Sequence, residues 1–195
     1  MLASITPLGE RGRRSHWAVT VAAFALGATL AGAVAGALLG ALGTLLPGGA
    51  DGHVRTAVIA VALIAALVLD VSRTAVPGPR RQVDERWLDR YRGWIYGLGY
   101  GSQLGLGIVT VITSAATYVV LLAAFVSGRP AIGAAIMGLY GALRGLTPLL
   151  AAGVRTPQQL VGLHARLRGA EPATARAAAA VLAVAGALGL VAGLL

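Results

Sequence analysis

Five long apolar runs leave this chain almost no way to fold in water. They are Trp17–Leu46, Val54–Val76, Trp94–Val126, Pro130–Val154 and Ala177–Leu195. Each matches or exceeds the roughly 20 helical residues that cross about 30 Å of hydrocarbon. Hydrophobic residues fill 57% of the 195 positions and charged residues only 12%, against roughly 25% charged in a soluble domain. Too little polar surface remains to cover a water-soluble globule. With no cysteine, a disulfide-stapled secreted domain is also excluded. The expected fold is all-α: one membrane domain over residues 1–195, a polytopic bundle of about five transmembrane helices. Its larger polar loops are 77–93 and 155–176.

The net charge of +9 serves topology in this reading. All sixteen basic residues are arginine. Thirteen fall in three regions on one side: the N-terminal tail (Arg11, Arg13, Arg14), the loop near Arg80–Arg92 with Arg73 at its edge, and the loop Arg155–Arg176. Arg55 and Arg129 lie on the other side, and Arg144 sits inside a run. The positive-inside rule then puts the N-terminus in the cytoplasm and the C-terminus outside, in a bacterial cytoplasmic membrane. The basic loops hold no nucleic-acid reading motif. A cleavable signal peptide is the rival reading of the first run. Signal cores are about 7–15 residues long, however, and this run is far longer.

Glycine carries the packing signal. Ala28, Gly32, Gly36 and Gly40 recur every fourth residue, as do Gly97, Gly101 and Gly105, and the pairs Gly141/Gly145 and Gly189/Gly193. Such stripes let helix backbones approach closely, within one bundle or between two copies. The third run is expected to break near Gly99–Gly107, where glycines crowd. In the basic loops, Val83, Trp87, Tyr91 and Trp94 keep helical spacing, and Thr156-Pro157-Gln158-Gln159 reads as a capped helix start. Leu160, Leu163 and Leu167 then line one face as far as Gly169.

Chemistry-bearing residues are few. His16, His53 and His164 lie far apart, at membrane boundaries, without metal-ligand spacing. No nucleotide loop or facing carboxylate pair is present, so neither enzyme activity nor a metal or other cofactor is expected. Asp70 and Arg144 are charges within apolar runs at similar expected depth. Intramembrane charges usually turn inward and pair; one reading is a gating or proton-coupled pair, the other a structural ion pair or two residues snorkelling separately to the inner interface. Gln103, Thr110 and Thr117, with Thr113 and Ser114 between them, share one helix face, and Tyr118 sits at its margin. That face either lines a solute path or bonds to neighbouring helices and to its own backbone.

The segments Gly97-Leu98-Gly99-Tyr100-Gly101-Ser102-Gln103-Leu104-Gly105 and Leu139-Tyr140-Gly141-Ala142-Leu143-Arg144-Gly145-Leu146-Thr147-Pro148-Leu149-Leu150, the latter followed by a basic loop and a last apolar helix, resemble the second half of the CcdA/DsbD-type transmembrane family. Phe24-Ala25-Leu26-Gly27, leading into a small-residue helix, is similar to its first half. The resemblance implies two inverted helix triplets, here lacking the first span. Members pass reducing equivalents through paired cysteines. Here the expected cysteine position reads Ser102-Gln103, and thiol–disulfide exchange needs a thiolate. What carries over is architecture without redox activity. The expectation is a mover of a small solute or ion, with Gln103, Thr110, Ser114 and Thr117 along the path and Asp70 and Arg144 as its gate. The alternative is a non-transporting scaffold or subunit that docks a membrane partner or a second copy.

Overall fold

The computed structural model describes residues 5–13, 15–45, 52–72, 78, 87–109, 112 and 114–194. Its described elements are α1 (Pro7–Gly12), α2 (Trp17–Gly43), α3 (Gly52–Val71), α4 (Trp87–Arg90), α5 (Gly93–Gly105), α6 (Ala116–Val126), α7 (Pro130–Gly145), a 3₁₀ turn (Thr147–Ala151) and α8 (Pro157–Leu194). No strand occurs among the described residues. Four stretches are long and apolar enough to cross a membrane: Trp17–Gly43, Gly52–Val71, Pro130–Ala151 and Pro157–Ala192. The chain divides into two compact units. One comprises residues 1–32, 80–110 and 138–171; the other comprises residues 33–79, 111–137 and 172–195.

In the first unit α2 is clasped on two sides by glycines. A side chain at Gly101 or Gly105 of α5, or at Gly141 of α7, would overlap main-chain carbonyls of Phe24 or Ala28. Ala28 is fully buried between them. Phe24, Tyr96, Tyr100 and Leu104 fill the space beside this seam, with Ile5, Val21 and Leu88. Thr6 opens α1 by accepting the Gly9 amide on its hydroxyl (3.0 Å). The Leu8 amide donates to the Val154 carbonyl (3.2 Å), which ties that short helix down.

The second unit repeats the device. Gly36 of α2 and Gly133 of α7 face each other so closely that a side chain on either would strike the other's carbonyl. Gly43 stands in the same relation to the Phe125 carbonyl. Ala66 of α3 packs on Ala115 and on Val119 of α6. The buried Ala60 of α3 faces Gly186 and Gly189 of α8.

The outer faces are apolar. Leu26, Leu30, Val34, Leu38 and Leu42 run along α2 on the side away from the small-residue stripe, and all are exposed. Val58, Val61 and Val68 on α3 and Val181, Val184, Leu188 and Val191 on α8 are exposed as well. This inverts the arrangement of a soluble protein, where large apolar side chains fill the interior. It is what lipid as solvent selects, with small residues inside and branched apolar residues outside.

One expected boundary moves. Gly169 does not end the helix that begins after Thr156; α8 runs on through Pro172 to Leu194. Proline in a helix interior removes one hydrogen bond and costs about 3 kcal/mol. Here it is exposed among Ala170, Ala173 and Ala175, strong helix formers that carry the helix across. The expected third run contains two described helices, α5 and α6, and the described residues between them are not helical. Just after α5, Gly107 takes a φ of 77°, a conformation that disfavours a side chain.

Candidate functional site

Two polar clusters stand out in this apolar molecule, one in each unit. Asp70 is in the last turn of α3. Its Oδ2 accepts the Ser114 hydroxyl at 2.6 Å, and its Oδ1 accepts the Ala115 amide at 2.8 Å. The Ser114 hydroxyl oxygen in turn accepts the Ala116 amide at 3.1 Å. These amides open α6, where a helix has no carbonyl of its own to offer. Asp70 therefore caps α6 from a different helix, and its negative charge meets the positive end of the α6 dipole. A carboxylate has about four acceptor positions. Among the described residues, the two bonds named leave part of that capacity for another donor.

The sequence-derived constellation is regrouped. Ser114 joins Asp70, and Thr117 is buried in the first turn of α6. Gln103 is half-buried on α5, in the first unit. Thr110 lies outside the described residues. Arg144 donates to the Tyr140 hydroxyl at 2.7 Å and stacks 5.3 Å from the centre of that ring. Asp70 is not among the partners of Arg144 given by the structure, and each residue is held within its own unit. Arg55 donates to the Ser127 carbonyl at 3.0 Å in the loop before α7.

The second cluster surrounds Glu10. This carboxylate is fully buried, and it accepts from Thr20 Oγ1 at 2.9 Å, from Arg13 at 2.9 Å and from the Tyr96 hydroxyl. Burial alone would push the Glu10 carboxyl up. Hydrogen bonds from Tyr96, Arg13, Thr20 and Ser15 outweigh that and hold it below the usual carboxylate range. Gly93, the first residue of α5, makes the approach feasible, since a side chain there would strike the Ser15 and Thr20 hydroxyls. One glutamate thus joins α1 to the starts of α2 and α5. Beside it opens a pocket of about 470 Å³ whose lining includes Arg13, His16, Tyr91, Arg92 and Trp94.

Sequence reasoning missed Glu10. An acidic residue among arginines in a terminal tail reads as solvated, and its partner Tyr96 is 86 positions away. The available signal was Thr6-Pro7, a capped helix start that draws the tail into the fold.

No family model matches the chain, and no solved structure matches it. Among curated proteins it is similar to the methylamine utilization protein MauF of Paracoccus versutus. The two are 30% identical over 142 residues, 70% of this chain and 51% of the relative. MauF of Paracoccus denitrificans is 32% identical over 136 residues, 67% of this chain and 48% of the relative. The chain spans about half the length of the curated relatives it matches.

Proposed function

We propose that this chain is a redox-inactive polytopic membrane protein of CcdA-like architecture that moves a small solute or ion, with Asp70 as the group that meets it. The observation that carries this reading is a carboxylate within an apolar helix, held by the Ser114 hydroxyl and the Ala115 amide at the opening of α6. Carboxylates in membrane helices are costly and mark ion or proton paths. Interrupted helices are where transporters place their sites. In this reading residues 94–126 supply one interrupted span, and five spans in all put the N-terminus in the cytoplasm of a bacterium and the C-terminus outside. Gln103, Thr110, Ser114 and Thr117 border the path. No chemical step and no cofactor are assigned to the chain.

The relatives' names specify methylamine utilization. Methylamine is a protonated, small cation at neutral pH, and a carboxylate with spare acceptor capacity is its natural counter-charge. The test is uptake of labelled methylammonium into proteoliposomes. Saturable uptake that Asp70→Asn abolishes and Asp70→Glu partly keeps is the expected result. Uptake no faster than in protein-free vesicles overturns it.

A second reading is a non-transporting membrane subunit. It is favoured by the close glycine seams and by the engagement of Ser114 with Asp70, both of which suit a dry, packed interior. Arg144, held by Tyr140, is part of the gate in the first reading and a structural cation in the second.

A further inference from the structure

The pocket beside Glu10 is independent of the Asp70 site. Its polar lining includes Arg13, Ser15, His16 and Arg92, and its aromatic lining includes Tyr91 and Trp94. No acidic residue lines it among the described residues. Glu10 accepts one hydrogen bond from the Arg13 guanidinium, through Nη2 at 2.9 Å. Arg92 is exposed, and no hydrogen bond or ion pair of its side chain occurs among the described residues. The pocket therefore offers uncompensated positive charge in a concave space.

Its depth is fixed by α2. The apolar helix begins at Trp17, directly after Ser15 and His16, so the pocket opens where hydrocarbon gives way to headgroups. Tyr91 and Trp94 are about half exposed, at 48% and 51%, at the level where aromatic side chains anchor to the interface. The start of α5 at Gly93 adds main-chain amides and the positive end of a 13-residue helix. Paired arginines, aromatic rims and an interfacial position are together what a lipid phosphate requires.

We propose that this pocket holds a phosphate group carried by an anionic membrane lipid, with Arg92 and Arg13 on the phosphate oxygens and Tyr91 and Trp94 against the glycerol and upper acyl chain. Glu10 and Tyr96 are positioning residues that keep Arg13 aimed.

Native mass spectrometry of the full chain in detergent, titrated with phosphatidylglycerol and with phosphatidylcholine of equal chain length, tests this. Phosphatidylglycerol is expected to bind at least several-fold more tightly. Loss of one charge-assisted contact in Arg92→Ala should weaken it about tenfold. Arg11→Ala, an exposed arginine outside the pocket lining, should leave binding unchanged. Inorganic phosphate forms the second arm. Displacement of the lipid only at far higher concentration supports a lipid-borne phosphate. Phosphate binding as tight as the lipid, equal binding of the two lipids, or equal losses in Arg92→Ala and Arg11→Ala would overturn the proposal. Because Arg92 is exposed and has no side-chain partner among the described residues, a folding failure in that variant is not expected. Arg92→Lys is the check, and it should keep most of the affinity.

Discussion

Glu10 shows how much of this fold rests on single polar residues. A buried carboxylate held below its usual range stabilises the folded state only while ionised. Its contribution is complete above the ordinary carboxylate range and is lost as pH falls through the lowered folded value. The unfolding midpoint of the detergent-solubilised protein should therefore stay level from neutral pH to that range and fall below it. Glu10→Gln should lower the neutral-pH stability by about 1–3 kcal/mol, because charged donors lose their acceptor, and should flatten the acid limb. An acid limb unchanged in that variant would remove Glu10 from its cause. At Asp70 the expected order differs. Ser114→Ala deletes the bond to Asp70 and the one from the Ala116 amide and should cost about 1–2 kcal/mol, while Asp70→Ala also removes the charged cap on the Ala115 amide and should cost more. Equal thermal shifts for the two would mean that the cap carries no weight. Of these residues the sequence pointed to Asp70 and Ser114 separately. It had no means to join them, because the 44 positions between them carry no periodic signal linking a carboxylate to a helix opening.

At the scale of elements, small residues decide which helix faces meet. Gly105→Val should be severely destabilising, since the new atoms would overlap the Ala28 carbonyl and neither backbone has slack. Gly162→Ala on α8 meets nothing within 4 Å and should stabilise by about 0.5–1 kcal/mol, as for any unneeded glycine in a helix interior. Thermal unfolding of the two variants separates packing glycines from idle ones. A Gly105→Val protein as stable as wild type would contradict the close seam. The four-residue stripes were readable in advance because the helical repeat brings every fourth residue to one face. The capped start of α8 was equally legible: Gln159 accepts the Arg155 and Thr156 amides and Thr156 accepts that of Gln159. The end of that helix was not. Gly169 and Pro172 are stop signals locally, and the alanine-rich sequence beyond them overrides both.

For the whole molecule, hydropathy pointed to about five spans, and four membrane-length helices stand among the described residues, because lipid permits few alternatives to a fully bonded helix. Composition had no purchase on which polar groups meet, since those contacts are single and distant in sequence. The absence of cysteine makes the central proposal, a wet path past Asp70, directly testable. Single cysteines at Gln103, Thr110, Ser114 and Thr117, with Ser15 and Ala131 as controls near opposite membrane surfaces, would be challenged from each side with a membrane-impermeant thiol reagent. Labelling at Ser114 and its neighbours, with some positions reached from both sides and protected by methylammonium, is the result transport requires. Silence at all four positions in folded protein, with both controls reactive, would contradict it and identify a packed, dry face.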